Sequence, residues 1–361
     1  MISSDYKKLI FYQSIANIDY VLHILKNSPK DTCIIVVTGG NHFFEIIKKL
    51  NLKKKFGIEL IDFTQPKINQ PAEIIKFLYK IKFGEKIKRL KRYKFSQAYF
   101  NCYNTDFVTP IILSIVNIKK IYFCKYKKLK EDRINNYFPA NFKWTFKKLI
   151  LQLIFYKYKI NTYYSGGDGF RRIIFQITNK KIFLKKLPFL NLDNQFLVPL
   201  NFISKKRKAI FMDSNQERFI GGNYSIIINQ LFKILKNYNY EIIIKKKPGT
   251  PLSDTLKKIK KKNLITSKIP IELYNLKQID IIIGVSSTGL VNVANTNPGI
   301  KVVSCLLLFY NYKKKVNENI KNVVNIIAYL KTRDLKKKIL FLKQINEFKK
   351  IILSLPKSKL K

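Results

Sequence analysis

The chain has 361 residues, enough for two domains of ordinary size, and its hydrophobic content of 47% is ample for folded cores. That composition excludes an intrinsically disordered chain. The net charge of +48 favours an anionic partner such as nucleic acid or a membrane surface, although the accompanying excess of Lys, Ile, Asn, Phe and Tyr equally fits compositional drift.

The first half of the chain alternates short β-branched runs with helical patterns, which is typical of parallel strands linked by helices. The predicted strands are residues 8–12, 33–37, 58–63, 97–102, 121–124 and 162–164. The predicted helices are residues 15–26, 43–50, a helix that opens at Pro71 and runs into the basic segment 80–94, and 111–116. This βαβ rhythm predicts a doubly wound parallel sheet.

The alternation of predicted strands and helices stops in one segment of the chain and then begins again. Scattered Pro and the lack of a steady period place a crossover linker at 186–208, between a first domain at 1–185 and a second at 209–361. The predicted strands of the second domain are 209–212, 240–244, 279–283 and 301–307, and its helices are 224–236, 253–262, 271–276, 290–295 and 334–353. Two Rossmann-like domains of this α/β class, facing each other across a cleft, form the architecture called GT-B, and ligands sit at the carboxyl ends of parallel strands.

A polar loop follows the predicted strand 279–283. Gly284 allows a tight turn, and Ser286, Ser287 and Thr288 stand where a helix N-cap forms. Backbone N–H groups and the positive end of a helix dipole bind anions at such a loop. The three hydroxyls therefore either hold a phosphate or only cap the helix.

The segment SGGDG, residues 165–169, contains the candidate base Asp168. The surrounding glycines free the backbone to bring this carboxylate into a cleft, where it can accept a proton from a sugar hydroxyl. The alternative is a turn in which Asp168 bonds to its own backbone.

Two further segments supply candidate ligands for a nucleotide. Lys245, Lys247 and Pro248 belong to a loop after the strand 240–244, where lysines would stabilise a phosphate leaving group, unless they form an ordinary solvated surface. Pro270 and Glu272 lie on a turn that opens a helix, where the carboxylate either grips ribose hydroxyls or favours the helix dipole.

The order of these segments is more specific than any one of them. An acidic-Gly turn, a K-x-x-P loop, a P-x-E turn and a Ser-Ser-Thr loop between residues 164 and 290 resemble the motifs of bacterial GT-B sialyltransferases, including the lipooligosaccharide sialyltransferase and capsular polysialyltransferase groups. The resemblance implies that Asp168 deprotonates the acceptor and that Lys247 and Pro248 take the place of a His-Pro motif. It implies further that Ser286 and Ser287 bind the CMP phosphate.

The sequence departs from that family at two positions. Gly167 replaces the first acid of the acidic motif, and Lys247 replaces the motif's His. Lysine still brings positive charge to a departing phosphate, but with an ordinary pKa near 10.4 it is a poor general acid near neutral pH. The nucleotide site is thus expected to persist while the donor or the activity has changed.

The resemblance implies an inverting glycosyltransferase with a CMP-activated sugar as co-substrate and a glycan or glycolipid as acceptor. We expect no cofactor and no metal, because the sequence has no Asp-x-Asp motif and only two His. Four scattered Cys suggest buried free thiols in a reducing compartment, which with the lack of a signal peptide indicates a cytoplasmic protein, with peripheral contact to an anionic membrane. The alternatives are an inactive homologue of that family and a basic nucleic-acid-binding protein, although no specific nucleic-acid signature stands out.

Overall fold

A computed structural model divides the chain into two compact units, Met1–Leu190 and Asn191–Lys361. The structure describes residues 6–13, 18–39, 42–64, 71–101, 108–126, 162–165, 172–175, 182–187, 197–200, 202, 204, 206–217, 223–248, 250–257, 263–312, 327, 330–331, 334 and 337–356. The division between the units lies inside the segment 186–208 that the sequence marks as a crossover.

The first unit is built on a six-stranded parallel sheet with the order β3-β2-β1-β4-β5-β8. Its strands are β1 (Tyr6–Tyr12), β2 (Cys33–Val37), β3 (Glu59–Asp62), β4 (Lys94–Phe100), β5 (Ile118–Tyr126) and β8 (Ile182–Leu187). A separate antiparallel pair consists of β6 (Thr162–Ser165) and β7 (Arg172–Phe175). The helices are α1 (Ile18–Lys26), α2 (His42–Leu50), α3 (Leu52–Phe56), α4 (Pro71–Phe83), α5 (Glu85–Arg92) and α6 (Val108–Ile115).

The second unit repeats the same plan. Its six-stranded parallel sheet has the order β11-β10-β9-β12-β13-β14. The strands are β9 (Arg207–Asp213), β10 (Tyr240–Lys246), β11 (Leu264–Ile265), β12 (Ile281–Gly284), β13 (Lys301–Ser304) and β14 (Ile339–Phe341). The helices are α7 (Asn223–Asn237), α8 (Thr288–Thr296), α9 (Leu306–Tyr312) and α10 (Ile345–Ser354), together with the 3₁₀ turns Asp254–Leu256 and Ile271–Leu273.

Both six-stranded sheets have the strand order 3-2-1-4-5-6 of a Rossmann fold when the strands are counted within each sheet. The predicted class, α/β with two Rossmann-like doubly wound domains, is therefore confirmed. The β-branched runs form the central strands because both of their faces are covered: β2 is buried along its whole length. In the second unit, α7, α9 and α10 pack with Phe211 and Ile283 into one core cluster.

Several predicted elements are corrected by tertiary pairing. Residues 253–262 and 271–276 were expected to be helices, but each contains only a 3₁₀ turn among its described residues. Residues 334–353 were expected to be wholly helical, but β14 precedes α10 there. The stretch 182–187 was expected to lack regular structure, yet it forms the edge strand β8.

The strand β8 is formed despite two consecutive lysines. The ammonium of Lys185 lies 4.9 Å from the ring centroid of Tyr99 and 5.5 Å from that of Tyr122. Cation–π contacts of this kind stabilise a lysine on a sheet surface. The expected buried free thiols are confirmed for Cys33, Cys124 and Cys305, while Cys102 lies outside the described residues.

Candidate functional site

The second sheet changes its winding direction between β9 and β12, which are hydrogen-bonded neighbours. The connections from these two strands leave in opposite directions, and ligands of open α/β sheets bind in the crevice that opens at their carboxyl ends. Here the hydroxyl of Ser214, directly after β9, donates to the carbonyl of Ser286, two residues after β12, at 3.3 Å. The two loops of the switch point are thus tied together.

The loop from β12 to α8 has the predicted N-cap. The Ser287 hydroxyl accepts a hydrogen bond from the Gly289 N–H at 3.2 Å, and Ser287 has the extended backbone of a cap. The Ser304 hydroxyl donates to the Val285 carbonyl at 2.8 Å and fixes the loop from behind. The interpretation of Ser287 as a helix N-cap is therefore confirmed, and two hydrogen bonds fix the position of the loop.

Two predicted hydroxyls at the loop remain available to a ligand. Ser286 is half-buried and Thr288 is exposed, and within the described part of the chain neither hydroxyl has a hydrogen-bond partner. Gly284 ends β12, and a methyl group on its Cα would lie 3.3 Å from Met212 Cβ. The glycine therefore allows close packing at the base of the loop.

Lys245 is the unexpected member of the site, because it is a residue of β10 and not of the loop after it. It pairs with Met212, which in turn pairs with Gly284, so the three residues form one row across the sheet with their Cβ positions on the same face. Only 3% of Lys245 is exposed, and its ammonium donates to the Lys246 carbonyl at 3.1 Å. Of the two alternatives left open by the sequence, the ordinary solvated surface is therefore wrong for Lys245.

Burial changes the chemistry of Lys245. Removal from water lowers the pKa of the ammonium from 10.5 to about 8, while the charge of Glu272 opposes that shift and Lys246 adds to it. A lysine with this pKa is charged at neutral pH yet poorly solvated by water. It is therefore suited to pairing with an anion that enters beside it.

Glu272 lies on the 3₁₀ turn Ile271–Leu273, immediately after the buried Pro270. Its carboxylate accepts a hydrogen bond from the side-chain amide of Asn292, on α8, at 2.7 Å. The same turn meets the start of α8, since a methyl group added to Gly289 would overlap Met212 Cε and lie 2.9 Å from Ile271 Cγ2. Lys245, Glu272 and the first turn of α8 therefore lie on the same face of the sheet.

Lys247 lies just beyond the carboxyl end of β10 and is exposed, whereas Pro248 is half-buried. The Lys247 N–H donates to the Asp213 carbonyl at 2.9 Å, which anchors the loop to the end of β9. The K-x-x-P segment thus has one buried lysine in the sheet and one exposed lysine at its carboxyl edge.

A buried carboxylate that sequence reasoning missed organises these loops. Asp213, at the end of β9, accepts hydrogen bonds from the Asn215 N–H (2.8 Å), the Ser253 N–H (2.8 Å) and the Ser253 hydroxyl (2.6 Å). Asn215 adopts a left-handed backbone with φ of 51°. The available signal was an Asp-Ser-Asn turn directly after a strand. Asp213 is a scaffold residue, since its oxygens face backbone and serine donors.

Asp168 and its glycines, the predicted base segment, lie outside the described residues. In the first unit, the sequence analysis also missed a pair at the carboxyl ends of β1 and β2. The buried Tyr12 hydroxyl lies 2.7 Å from Nε2 of His42, which begins α2, and burial lowers the pKa of this imidazole. His42 is therefore mostly neutral at pH 7.

Within the described ranges, no cluster of three or more His, Cys, Asp or Glu side chains is placed to hold a metal ion. Nor does any helix in those ranges have both the length and the apolar character needed to cross a bilayer.

Comparison with known proteins yields structural likeness alone, since neither a protein-family model nor a curated protein matches the sequence. The chain is similar to the UDP-GlcNAc 2-epimerase from Methanocaldococcus jannaschii, with 13% identity, coverage of 99% of this chain and 94% of that chain, and a TM-score of 0.47. It is also similar to the glycotransferase of kitacinnamycin, with 6% identity, coverage of 99% and 92%, and a TM-score of 0.45. A third similar structure is the UDP-GlcNAc 2-epimerase from Neisseria meningitidis bound to UDP-GlcNAc, with 12% identity, coverage of 96% and 98%, and a TM-score of 0.41. The strand order of the two sheets, and not these remote likenesses, defines the fold.

Proposed function

We propose that this protein is a glycosyltransferase that moves a sugar from a CMP-activated donor, sialic acid or a related acid, to a glycan or glycolipid acceptor. One observation carries the proposal. The half-buried Ser286 and the capped start of α8 stand at the switch point of a Rossmann sheet, and the buried cation Lys245 lies in the same sheet on the α8 side. Unpaired hydroxyls, helix N–H groups and a lysine together match a phosphate.

In this proposal the second unit binds the nucleotide. Ser286, Thr288 and the N-terminus of α8, which Ser287 caps, hold the CMP phosphate, and Lys245 neutralises its charge from within the sheet. Glu272, whose carboxylate accepts a hydrogen bond from the Asn292 amide, also accepts hydrogen bonds from the ribose hydroxyls in this proposal. Lys247, exposed at the end of β10, contributes a second positive charge as the phosphate departs.

The transfer step follows the sequence resemblance. Asp168 takes the proton of an acceptor hydroxyl, the acceptor oxygen forms a bond to the anomeric carbon, and the bond from that carbon to the phosphate oxygen of CMP breaks with inversion. CMP leaves as an anion in contact with the lysines and the serine loop. Because Lys247 stands in place of a His, the charge of the leaving group is met by electrostatic stabilisation and not by proton transfer.

The experiment has two parts. Calorimetry with CMP, UDP and GDP identifies the donor class, and we expect CMP to bind most tightly. Ser286→Ala should weaken CMP binding about tenfold or more through loss of one hydrogen bond to a charged group, while the matched control Ser354→Ala, at an exposed serine of α10, should not.

Transfer of labelled sugar from CMP-sialic acid to a glycan acceptor tests the activity, and Asp168→Asn should abolish it while CMP binding persists. Full transfer by Asp168→Asn contradicts the base assignment. CMP binding without any transfer identifies an inactive homologue. Preference for another nucleotide contradicts the assignment of CMP as the donor nucleotide.

A further inference from the structure

Helix α4 of the first unit has an apolar stripe that faces solvent. Ile75, Tyr79 and Phe83 are spaced by four residues, and 59%, 66% and 50% of their respective surfaces are exposed. Residues at this spacing lie above one another on one side of a helix. The Tyr79 and Phe83 rings are in contact, with centroids 4.9 Å apart. The stripe is therefore a continuous surface feature.

The opposite side of α4 already has its partner. Ile81 is fully buried and Phe77 packs against the same hydrophobic cluster of the first unit. At roughly 100° per residue, Tyr79 is about 160–200° around the helix axis from Phe77 and Ile81. The stripe therefore does not pack against the core of this unit, because α4 contacts that core with its opposite face.

Positive charge surrounds the stripe. Lys76 and Lys80 are exposed on α4 next to it, and the two helices α4 and α5 together contain eight Lys and Arg against two Glu. The ion pairs Lys76–Glu73 (3.3 Å) and Lys88–Glu85 (2.9 Å) are exposed to solvent. They therefore reduce only slightly the positive charge that a binding partner encounters. Helix α5 buries only Ile87 and Leu90 and exposes its basic residues.

We propose that α4 and α5 form a docking surface for a bilayer that contains anionic phospholipid. An apolar and aromatic stripe flanked by lysines is the arrangement by which an interfacial helix inserts its side chains at the headgroup boundary while its cations meet lipid phosphates. Single-stranded nucleic acid matches the charge and stacks on aromatic rings, but it offers no apolar interior for Ile75. A second copy of this chain has the same strong positive charge and would be repelled. This inference does not depend on the proposed transferase activity.

The test is co-sedimentation of the full chain with vesicles, without nucleotide. We expect binding to phosphatidylcholine vesicles that contain about a third phosphatidylglycerol, and little binding to pure phosphatidylcholine. Tyr79→Ser combined with Phe83→Ser should lower the partition coefficient about tenfold or more, since most of the inserted apolar surface is removed. The matched control is Ile226→Ser with Leu353→Ser, which removes equally exposed apolar residues (51% and 60%) from the second unit and should bind as the unmodified chain does.

A second pair of variants tests how much the lysines beside the stripe contribute to vesicle binding. Lys76→Gln with Lys80→Gln should weaken vesicle binding about thirtyfold, at about 1 kcal/mol per lysine near the surface, whereas Lys53→Gln with Lys54→Gln, on the exposed side of α3, should have a much smaller effect. All of these residues are exposed, so circular dichroism and thermal melting should be unchanged.

The docking surface is overturned if the Tyr79 and Phe83 variant binds vesicles normally, or if the control pairs lose as much binding as the test pairs. It is also overturned by two other outcomes. One is a lipid-free dimer in sedimentation velocity that the Tyr79 and Phe83 variant dissociates. The other is binding to single-stranded RNA that depends on the stripe, without binding to vesicles.

Discussion

The side-chain amide of Asn292 donates a 2.7 Å hydrogen bond to the Glu272 carboxylate. This bond joins the second turn of α8 to a short 3₁₀ turn 20 residues earlier in the chain. It holds the carboxylate on the side of the sheet where Lys245 is buried, and the Glu272 charge acts on the lysine's pKa. Glu272 thus has a defined position before any nucleotide arrives.

Asn292→Ala should weaken CMP binding about fivefold, because the Glu272 carboxylate is less well positioned without the amide, at an indirect cost of roughly 1 kcal/mol. Glu272→Gln should weaken it further, since the carboxylate itself is lost. Calorimetry with CMP measures both. Asn229→Ala is the control, because Asn229 is an exposed helix residue of α7 whose amide bonds only to Ser225 among the described residues. Equal affinities of the Asn292→Ala variant and the unmodified chain would remove Glu272 from the site.

Lys245 gives a prediction on stability and pH. Burial lowers its pKa from 10.5 to about 8 in the folded chain. Between these two values the unfolded chain binds more protons than the folded chain, so the free energy of unfolding rises with pH across that window. Lys245→Met removes the buried charge and should stabilise the fold below pH 8 by up to about 3 kcal/mol, an advantage that disappears above pH 10.5.

Urea unfolding of Lys245→Met at pH 7 and at pH 10 measures this effect, and calorimetry measures the expected loss of CMP affinity. Stabilisation with loss of binding indicates that the buried charge is retained for a ligand. Lys247→Met is the control, since this exposed lysine should change stability little at either pH. Destabilisation by Lys245→Met at pH 7 would contradict the prediction.

Asp213 and Ser253 carry a second stability prediction. Ser253 is fully buried and its hydroxyl donates to Asp213 at 2.6 Å. Ser253→Ala should lower the free energy of unfolding by about 1–3 kcal/mol, because a buried carboxylate loses one of its donors. Chemical denaturation measures the change. Ser354→Ala, at an exposed helix end, should cost less than Ser253→Ala, and equal costs would show that the Asp213 network contributes nothing specific.

The two sheets were predictable because their central strands are apolar and β-branched. Cys33–Val37 was predicted with the observed bounds, and the cap at Ser287 follows from its place directly after a buried strand. These signals are local. They depend on periodicity and on turn chemistry that neighbouring residues determine.

The parts that sequence reasoning missed are set by contacts between distant segments. Lys245 and Lys246 were read as loop residues because lysine is rarely buried, yet they extend β10 by pairing with Met212 and Asp213 on β9. Lys185 is accommodated by two tyrosine rings on other strands. The Tyr12–His42 pair joins residues 30 positions apart and has no local pattern.

Gly289 provides the last prediction, on the placement of α8. An added methyl group would overlap Met212 Cε and lie 2.9 Å from Ile271 Cγ2. The methionine end can move, but Ile271 is buried in the 3₁₀ turn that contains Glu272, so α8 must shift away from the sheet. Gly289→Ala should therefore cost about 1–3 kcal/mol of stability by overpacking, and it should weaken CMP binding because the helix start and Glu272 move apart. Gly299→Ala is the matched control, because a methyl group there meets no atom within 4 Å. Thermal melting and CMP calorimetry of the two variants decide the matter: a Gly289→Ala chain that melts and binds like Gly299→Ala would show that the close approach of α8 to β9 is not needed for the site.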